Sequence, residues 1–217
     1  MGVVESVNVG VVRPLTPKVG SSGIDKRSAD GPVLVRAPGP KRGVSGLVTD
    51  QIASAKFHGG NDQAVYAYAR EDLAFWQAEL DRPLAAGAFG ENLTTVGVDV
   101  TGALAGEHWE IGAELVLQVS VPRIPCATFA ARMAVPRWVR TFTARATPGA
   151  YLRVLRPGLV AAGDRVVVTN RPAHDVTIGL MFRALTTEPD LLSRLAVVSD
   201  LPAGLRTKVR RRSAAVS

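Results

Sequence analysis

No apolar run in this chain travels far before a glycine, a proline or a charge interrupts it. VVESVNVGVV (3–12), GPVLVRAPGP (31–40), HWEIGAELVLQVSVPR (108–123) and AYLRVLRPGLVAAGDRVVVTN (150–170) are rich in β-branched residues and are cut by Pro-Gly and Ala-Gly-Asp turn chemistry. Short strands with few helices between them favour a closed or nearly closed β-barrel over a doubly wound sheet. Residues 43–50 are a loop, and QAVYAYA (63–69) is too short to assign alone. From Arg70, early acids and apolar Leu73, Phe75, Trp76 and Leu80 at helical spacing predict a helix that Pro83 ends. A second helix is expected near 126–143. The fold class is therefore α+β, mainly β.

After NRPAHD the texture changes. Helical apolar spacing in VTIGLMFRALTTEPDLLSRLAVVSDLPAGLRTKVRRR (176–212) is broken at Pro189 and Pro202, predicting three short helices behind a linker at about 170–175. Thr187 or Glu188 and Asp200 are the expected caps. The division is a β-barrel domain over 1–172 and a three-helix module over 173–217.

Composition narrows the function. Of the 217 residues, 47% are hydrophobic, enough for a substantial core, and no run is long enough to span a membrane. The N-terminus lacks the basic and apolar pattern of a signal peptide, and a single cysteine gives no intramolecular disulfide, so a reducing cytoplasm is the expected location. The net charge of +7 invites a nucleic-acid reading, but five basic residues, Arg206, Lys208, Arg210, Arg211 and Arg212, fall in the last twelve positions. Without them the excess is +7 − 5 = +2, ordinary for such a domain. The cluster reads as a solvated tail, and no nucleic-acid motif accompanies it. No GxGxxG follows a strand and no GxxxxGK[ST] occurs, so dinucleotides and nucleoside triphosphates lose their usual warrant.

Cys126, the only cysteine, carries the sharpest signal. A free cysteine in an arbitrary protein is usually a small buried hydrophobe. Here Pro122 and Pro125 make a rigid, irregular strand exit, and Arg123 stands near enough in sequence to favour the thiolate, the form that acts as nucleophile or metal ligand. His58-Gly59-Gly60 is a second candidate, since paired glycines allow close backbone approach to a ligand, although HGGND is also an ordinary tight turn. GAFGENLTT, with Phe89, Glu91 and Asn92, is a third. Three histidines and one cysteine lack structural-zinc spacing. A Cys126–His58 hydrolase dyad stays open, because such partners need adjacency only in the fold.

In order and spacing, SSGIDKRSADGPVLV (21–35), FHGGNDQAVYAYAREDLAFW (57–76), GAFGENLTTVGVDVTGALAGEHWEIG (87–112) and LQVSVPRIPCATF (117–129) resemble the MOSC-domain family, in particular its bacterial YiiM type. The resemblance covers nearly the whole chain, the helical tail included. It implies a MOSC-type β-barrel whose cleft holds the molybdenum cofactor, molybdopterin, with Cys126 as thiolate ligand to the metal. It makes Lys26, Lys56 and Arg123 the basic residues placed to meet the anionic pterin, and His58, Gly59, Gly60, Phe89, Glu91 and Asn92 the pocket candidates. The activity it implies is reduction of N-hydroxylated compounds, such as hydroxylamino purines, with His58 as candidate proton donor. Because the chain has no flavin, nicotinamide or iron–sulfur motif, a separate electron-donating reductase is implied, and a homodimer is left open. The alternatives are a non-catalytic carrier of cofactor or sulfur and a metal-free cysteine hydrolase. In the loop before FHGG the family carries a Gly-Asp pair and then a second Asp. Here Thr49-Asp50 and Ser54 occupy those places, so no carboxylate stands at Ser54.

Overall fold

Strand β1 (Gly2–Gly10) alternates buried and exposed residues over its first half and is almost wholly buried over its second. A one-residue register shift between Val4 and Ser6 marks the change. Such a bulge re-aims a strand and bends it, which closure of a sheet on itself requires. The computed structural model describes residues 2–40, 43–54 and 58–214.

After β1 come β2 (Arg13–Thr16), β3 (Gly20–Ser22), β4 (Lys26–Ser28), β5 (Val33–Val35), β6 (Val65–Ala69), β7 (Leu93–Val96), β8 (His108–Ile111), β9 (Leu115–Pro122), β10 (Ala150–Arg156), β11 (Gly158–Val160) and β12 (Arg165–Asn170). The sheet closes as β1–β12–β8–β9–β10–β6–β7–β1, a seven-stranded barrel, with β4 added to the far end of β1. Helix α1 (Arg70–Leu80) is the crossover joining β6 and β7, the one parallel pair among the described residues. It ends as expected, with Asp81 left-handed two residues before Pro83. The mainly-β barrel expected from the sequence is the fold observed.

Valines, leucines and Trp109 from the inward faces fill the barrel. A second core lies outside it, where Tyr68, Trp76, Phe89, Phe129, Trp138 and Phe142 pack mostly edge-on with centroids 4.8–6.5 Å apart. The helix expected near 126–143 is two helices, α2 (Ala127–Met133) and α3 (Trp138–Arg145). Pro136 lacks the amide a continuous helix needs and bars its predecessor from helical backbone; Ala134 and Arg137 turn left-handed on either side. The break lets Phe129 and Met133 enter the aromatic core from one side and Trp138 and Phe142 from the other.

The tail supplies α4 (Ile178–Thr186), a 3-10 segment Pro189–Val197 in place of the expected second α-helix, and α5 (Ala203–Ala214). Thr177 caps α4 by accepting from the Leu180 amide at 3.0 Å. Glu188 occupies the expected N-cap position of the 3-10 segment but makes no side-chain cap bond, and the Asp200 carboxylate is taken by Gln118. The tail core includes Val121 and Ala105 of the barrel. Among the described residues no helix is long and apolar enough to cross a membrane.

Gly149 precedes β10 with φ +69°, and an added Cβ would lie 2.6 Å from the Ala67 carbonyl and 2.7 Å from the Tyr68 ring. Gly204 in α5 has open space instead. Gly149→Ala is expected to destabilise by about 1–3 kcal/mol, and Gly204→Ala to stabilise by up to about 1 kcal/mol. Urea denaturation of the two variants beside wild type checks both signs.

Candidate active site

Strand β9 ends at Pro122, and the next four residues belong to neither strand nor helix before α2 begins. Arg123 turns inward and is only 5% exposed. Its guanidinium carbon sits 3.5 Å from the ring centroid of Phe129, with Tyr66 and Phe142 at 5.8 Å. Among the described residues no carboxylate pairs with it, and its Nη1 is buried without a hydrogen-bond partner. A buried cation left in this state is costly unless a ligand completes it.

Cys126 is the residue before α2, in extended backbone and half-buried. Burial by itself raises its pKa. His58, the Phe129 amide and the charge of Arg123 outweigh burial and bring the thiol down to about 6. At pH 7 thiolate then exceeds thiol about tenfold.

These side chains share a cleft of about 370 Å³ at the end of the barrel. It holds Lys26, His58, Gly59, Phe89, Asn92, Arg123 and Cys126, so seven of the ten sequence candidates meet there. Gly59 (φ +80°) abuts Val44 so closely that an added Cβ would fall 2.6 Å from its carbonyl oxygen. Gly60 does not line the cleft; its amide is already bonded to the Val44 carbonyl at 3.1 Å. Glu91 is fully buried behind the wall and does not line it either. Its carboxylate accepts from the Gly87 amide at 2.6 Å, the Phe89 amide at 3.0 Å and Thr94 Oγ1 at 3.0 Å, fixing the loop that presents Phe89. Burial raises the pKa of Glu91, and those donors hold it back. Lys56 lies outside the described residues.

Lys26 is present but already engaged. Its ammonium pairs with Asp50 in the buried floor, where burial lowers its pKa and Asp50 opposes the shift. Arg123 is therefore the buried cation with charge left over for a ligand. Ser54 lines the cleft, so the polar group there is a hydroxyl.

Sequence reasoning missed Lys18 on the β2–β3 hairpin, Gln63, and the tilted ring pair Tyr66 and Tyr151, whose centroids lie 5.1 Å apart. Tyr66 donates to the Pro148 carbonyl at 2.8 Å. No local motif marks the two tyrosines; they meet because β6 and β10 are neighbours, with Tyr151 directly opposite Tyr66.

Among the described residues no group of three or more His, Cys, Asp or Glu side chains is placed to hold a metal ion. What the cleft offers is one thiolate, a guanidinium whose Nη1 is unpartnered among the described residues, and an aromatic wall. A seven-stranded barrel with this cleft at its end defines the class: residues 54–167 match the MOSC domain model, and the chain belongs to that family. It is of the YiiM type. It resembles the crystal structure of YiiM from Geobacillus stearothermophilus, with a TM-score of 0.78 and 28% identity over 98% of this chain and 99% of that one. It is 34% identical to protein YiiM of Escherichia coli over 61% of this chain and 60% of that protein. It is also 30% identical to a Gibberella moniliformis protein named Reductase, over 84% of this chain and 32% of that protein. The chain thus spans about a third of that reductase and under two thirds of the E. coli relative.

The rate of Cys126 alkylation by iodoacetamide is expected to rise with pH through a midpoint near 6 and level off above 7. His58→Ala removes a group that lowers the pKa, so its midpoint moves upward. A rate–pH profile on both proteins checks value and sign.

Proposed function

We propose that this protein binds the molybdenum cofactor in the Cys126 cleft and reduces N-hydroxylated compounds to amines. The observation that carries the reading is the pairing of a half-buried thiolate with a buried, orphaned Arg123 in one cleft. A soft thiolate suits a metal whose remaining ligands come with the cofactor, consistent with the lack of a protein metal cluster among the described residues. An anionic pterin would complete Arg123, whose Nη1 has no acceptor among the described residues. The cleft volume lies in the range typical of small-molecule sites.

When bound, the cofactor supplies the two-electron reduction of the N–O bond: R–NHOH plus two electrons and two protons gives R–NH2 and water. The chain's own residues do the rest. Cys126 Sγ would hold the metal, and Arg123 would hold the anionic part of the pterin. Phe89, Tyr66 and Tyr151 keep water from one side of the cleft. His58 shares the cleft with Cys126, whose pKa it lowers, and is the group placed to carry a proton at an imidazole nitrogen. The electrons come from a separate reductase protein.

One observation favours a second reading. His58 beside Cys126 in one cleft, lowering the pKa of the thiol, is also the arrangement of a metal-free cysteine hydrolase. A non-catalytic carrier of cofactor or sulfur shares the cleft but not the turnover.

The test is molybdenum content by elemental analysis, on protein purified from a host that makes the cofactor. Wild type is expected to hold near-stoichiometric metal and Cys126→Ala almost none. Arg123→Met is expected to weaken pterin retention about ten- to a hundredfold, the loss of one charge-assisted hydrogen-bonding group. Metal in wild type without turnover of hydroxylamino purines would leave the carrier. Metal absent from wild type, in a host that loads a control molybdoenzyme, would sink the proposal and advance the hydrolase.

A further inference from the structure

Tyr151 and Arg153 stand two residues apart in β10 and so share one face of the strand. Tyr151 lines the Cys126 cleft and packs against both the aromatic core and the tail core. Arg153 sends its three donors to three distant parts of the chain. Nε meets Asp62 Oδ1 at 2.7 Å, Nη1 meets Gln118 Oε1 at 3.1 Å, and Nη2 meets the Asp200 carbonyl at 2.6 Å. Gln118 reinforces the link by donating to Asp200 Oδ2 at 3.2 Å. The Arg153 side chain is only 16% exposed, whereas Asp62 is 44% exposed and the bond to the Asp200 carbonyl lies at the surface.

The ends of this fork matter. Asp62 lies in the 3-10 turn Asn61–Gln63, which continues from His58 and Gly59; Gln63 is itself part of the cleft wall. Asp200 lies in the tail, between Pro189–Val197 and α5. One guanidinium thus bolts the cleft wall and the helical tail to the same point on the barrel. Lysine has no planar fork with which to satisfy three acceptors at fixed angles.

We propose that Arg153 is a positioning residue: through Asp62 and Asp200 it makes the His58–Gln63 wall and the helical tail order as one unit, so that whatever engages the tail is felt at the cleft. The inference rests on the Cys126 cleft being the functional site, but it does not need the cofactor.

The experiment is hydrogen–deuterium exchange by mass spectrometry on the full chain, following peptides over 58–66 and 196–203. The variants are Arg153→Met, Arg153→Lys and Asp62→Asn. Ile111→Val in the barrel core serves as a stability-matched control, with thermal denaturation in parallel. Arg153→Met should speed exchange about tenfold in both segments, with Arg153→Lys between it and wild type. Asp62→Asn should speed only 58–66, since the bonds to Gln118 and Asp200 remain. The proposal is overturned if Arg153→Met leaves 58–66 exchanging as in wild type while its Tm falls, because the residue is then a stability element alone. It is equally overturned if Ile111→Val loosens 58–66 as much. Neither cofactor nor substrate enters the measurement, so its failure is distinct from that of the metal analysis.

Discussion

The cleft depends on one buried carboxylate. Asp50 Oδ1 accepts from the Gly10 amide at 2.8 Å and pairs with Lys26, while Oδ2 accepts from Ser45 Oγ at 2.7 Å and Asn92 Nδ2 at 3.0 Å. Four separate segments thereby converge on a side chain that is 1% exposed. Asn92 passes the constraint on, accepting from the Tyr66 amide at 3.1 Å and donating to the Asn8 carbonyl at 3.2 Å. A buried ion pair adds little net stability, yet removing one partner leaves the other charged, dry and unpaired. The pair's contribution is specificity of arrangement: β1, β4, the 43–50 loop and the loop before β7 have one way to satisfy Asp50.

That arrangement decides the electrostatics of the cleft. Two buried cations face it, Lys26 and Arg123, but Asp50 neutralises the first. The second is held by aromatic faces, which stabilise a cation without cancelling its charge. The cleft therefore keeps an uncompensated positive group beside a thiol that the same group helps to ionise. A site that stabilises a thiolate and still has charge to spare suits an anionic ligand that also needs a sulfur donor.

Much of the fold was legible because it follows local rules. The turn chemistry between short β-rich runs gave the barrel, and the apolar spacing of 70–80 gave α1. What escaped was decided by tertiary packing. VYAYA (65–69) is buried at every position, so it carries no alternation from which to recognise a central strand. Glu91 reads as a polar loop residue, but its carboxylate folds back onto its own turn and never reaches the cleft. Within the site, Cys126, His58 and Arg123 were visible because their neighbours are prolines and glycines with local meaning. Lys18, Tyr66 and Tyr151 were not, and neither was Arg153, whose partner Asp62 is 91 residues away in sequence.

The same contrast bears on how the thiolate is placed. Prolines at 122 and 125 look like the cause of the irregular strand exit, but a proline only forbids: it removes amides and fixes φ without saying where the chain goes next. Direction comes from the aromatic core. Phe129 is three residues beyond Cys126, is fully buried, and lies edge-on to Phe89, Trp138 and Phe142. Its ring is also the platform for Arg123, three residues before Cys126. Cys126 thus lies midway in sequence between a guanidinium and the ring on which that guanidinium rests. A strand exit without prolines would still be pinned by this stack, whereas one without Phe129 would lose the platform for Arg123. The position of the thiolate is therefore set by the packing of a core that contains no catalytic group, and the break at Pro136 serves the site by letting both short helices reach that core.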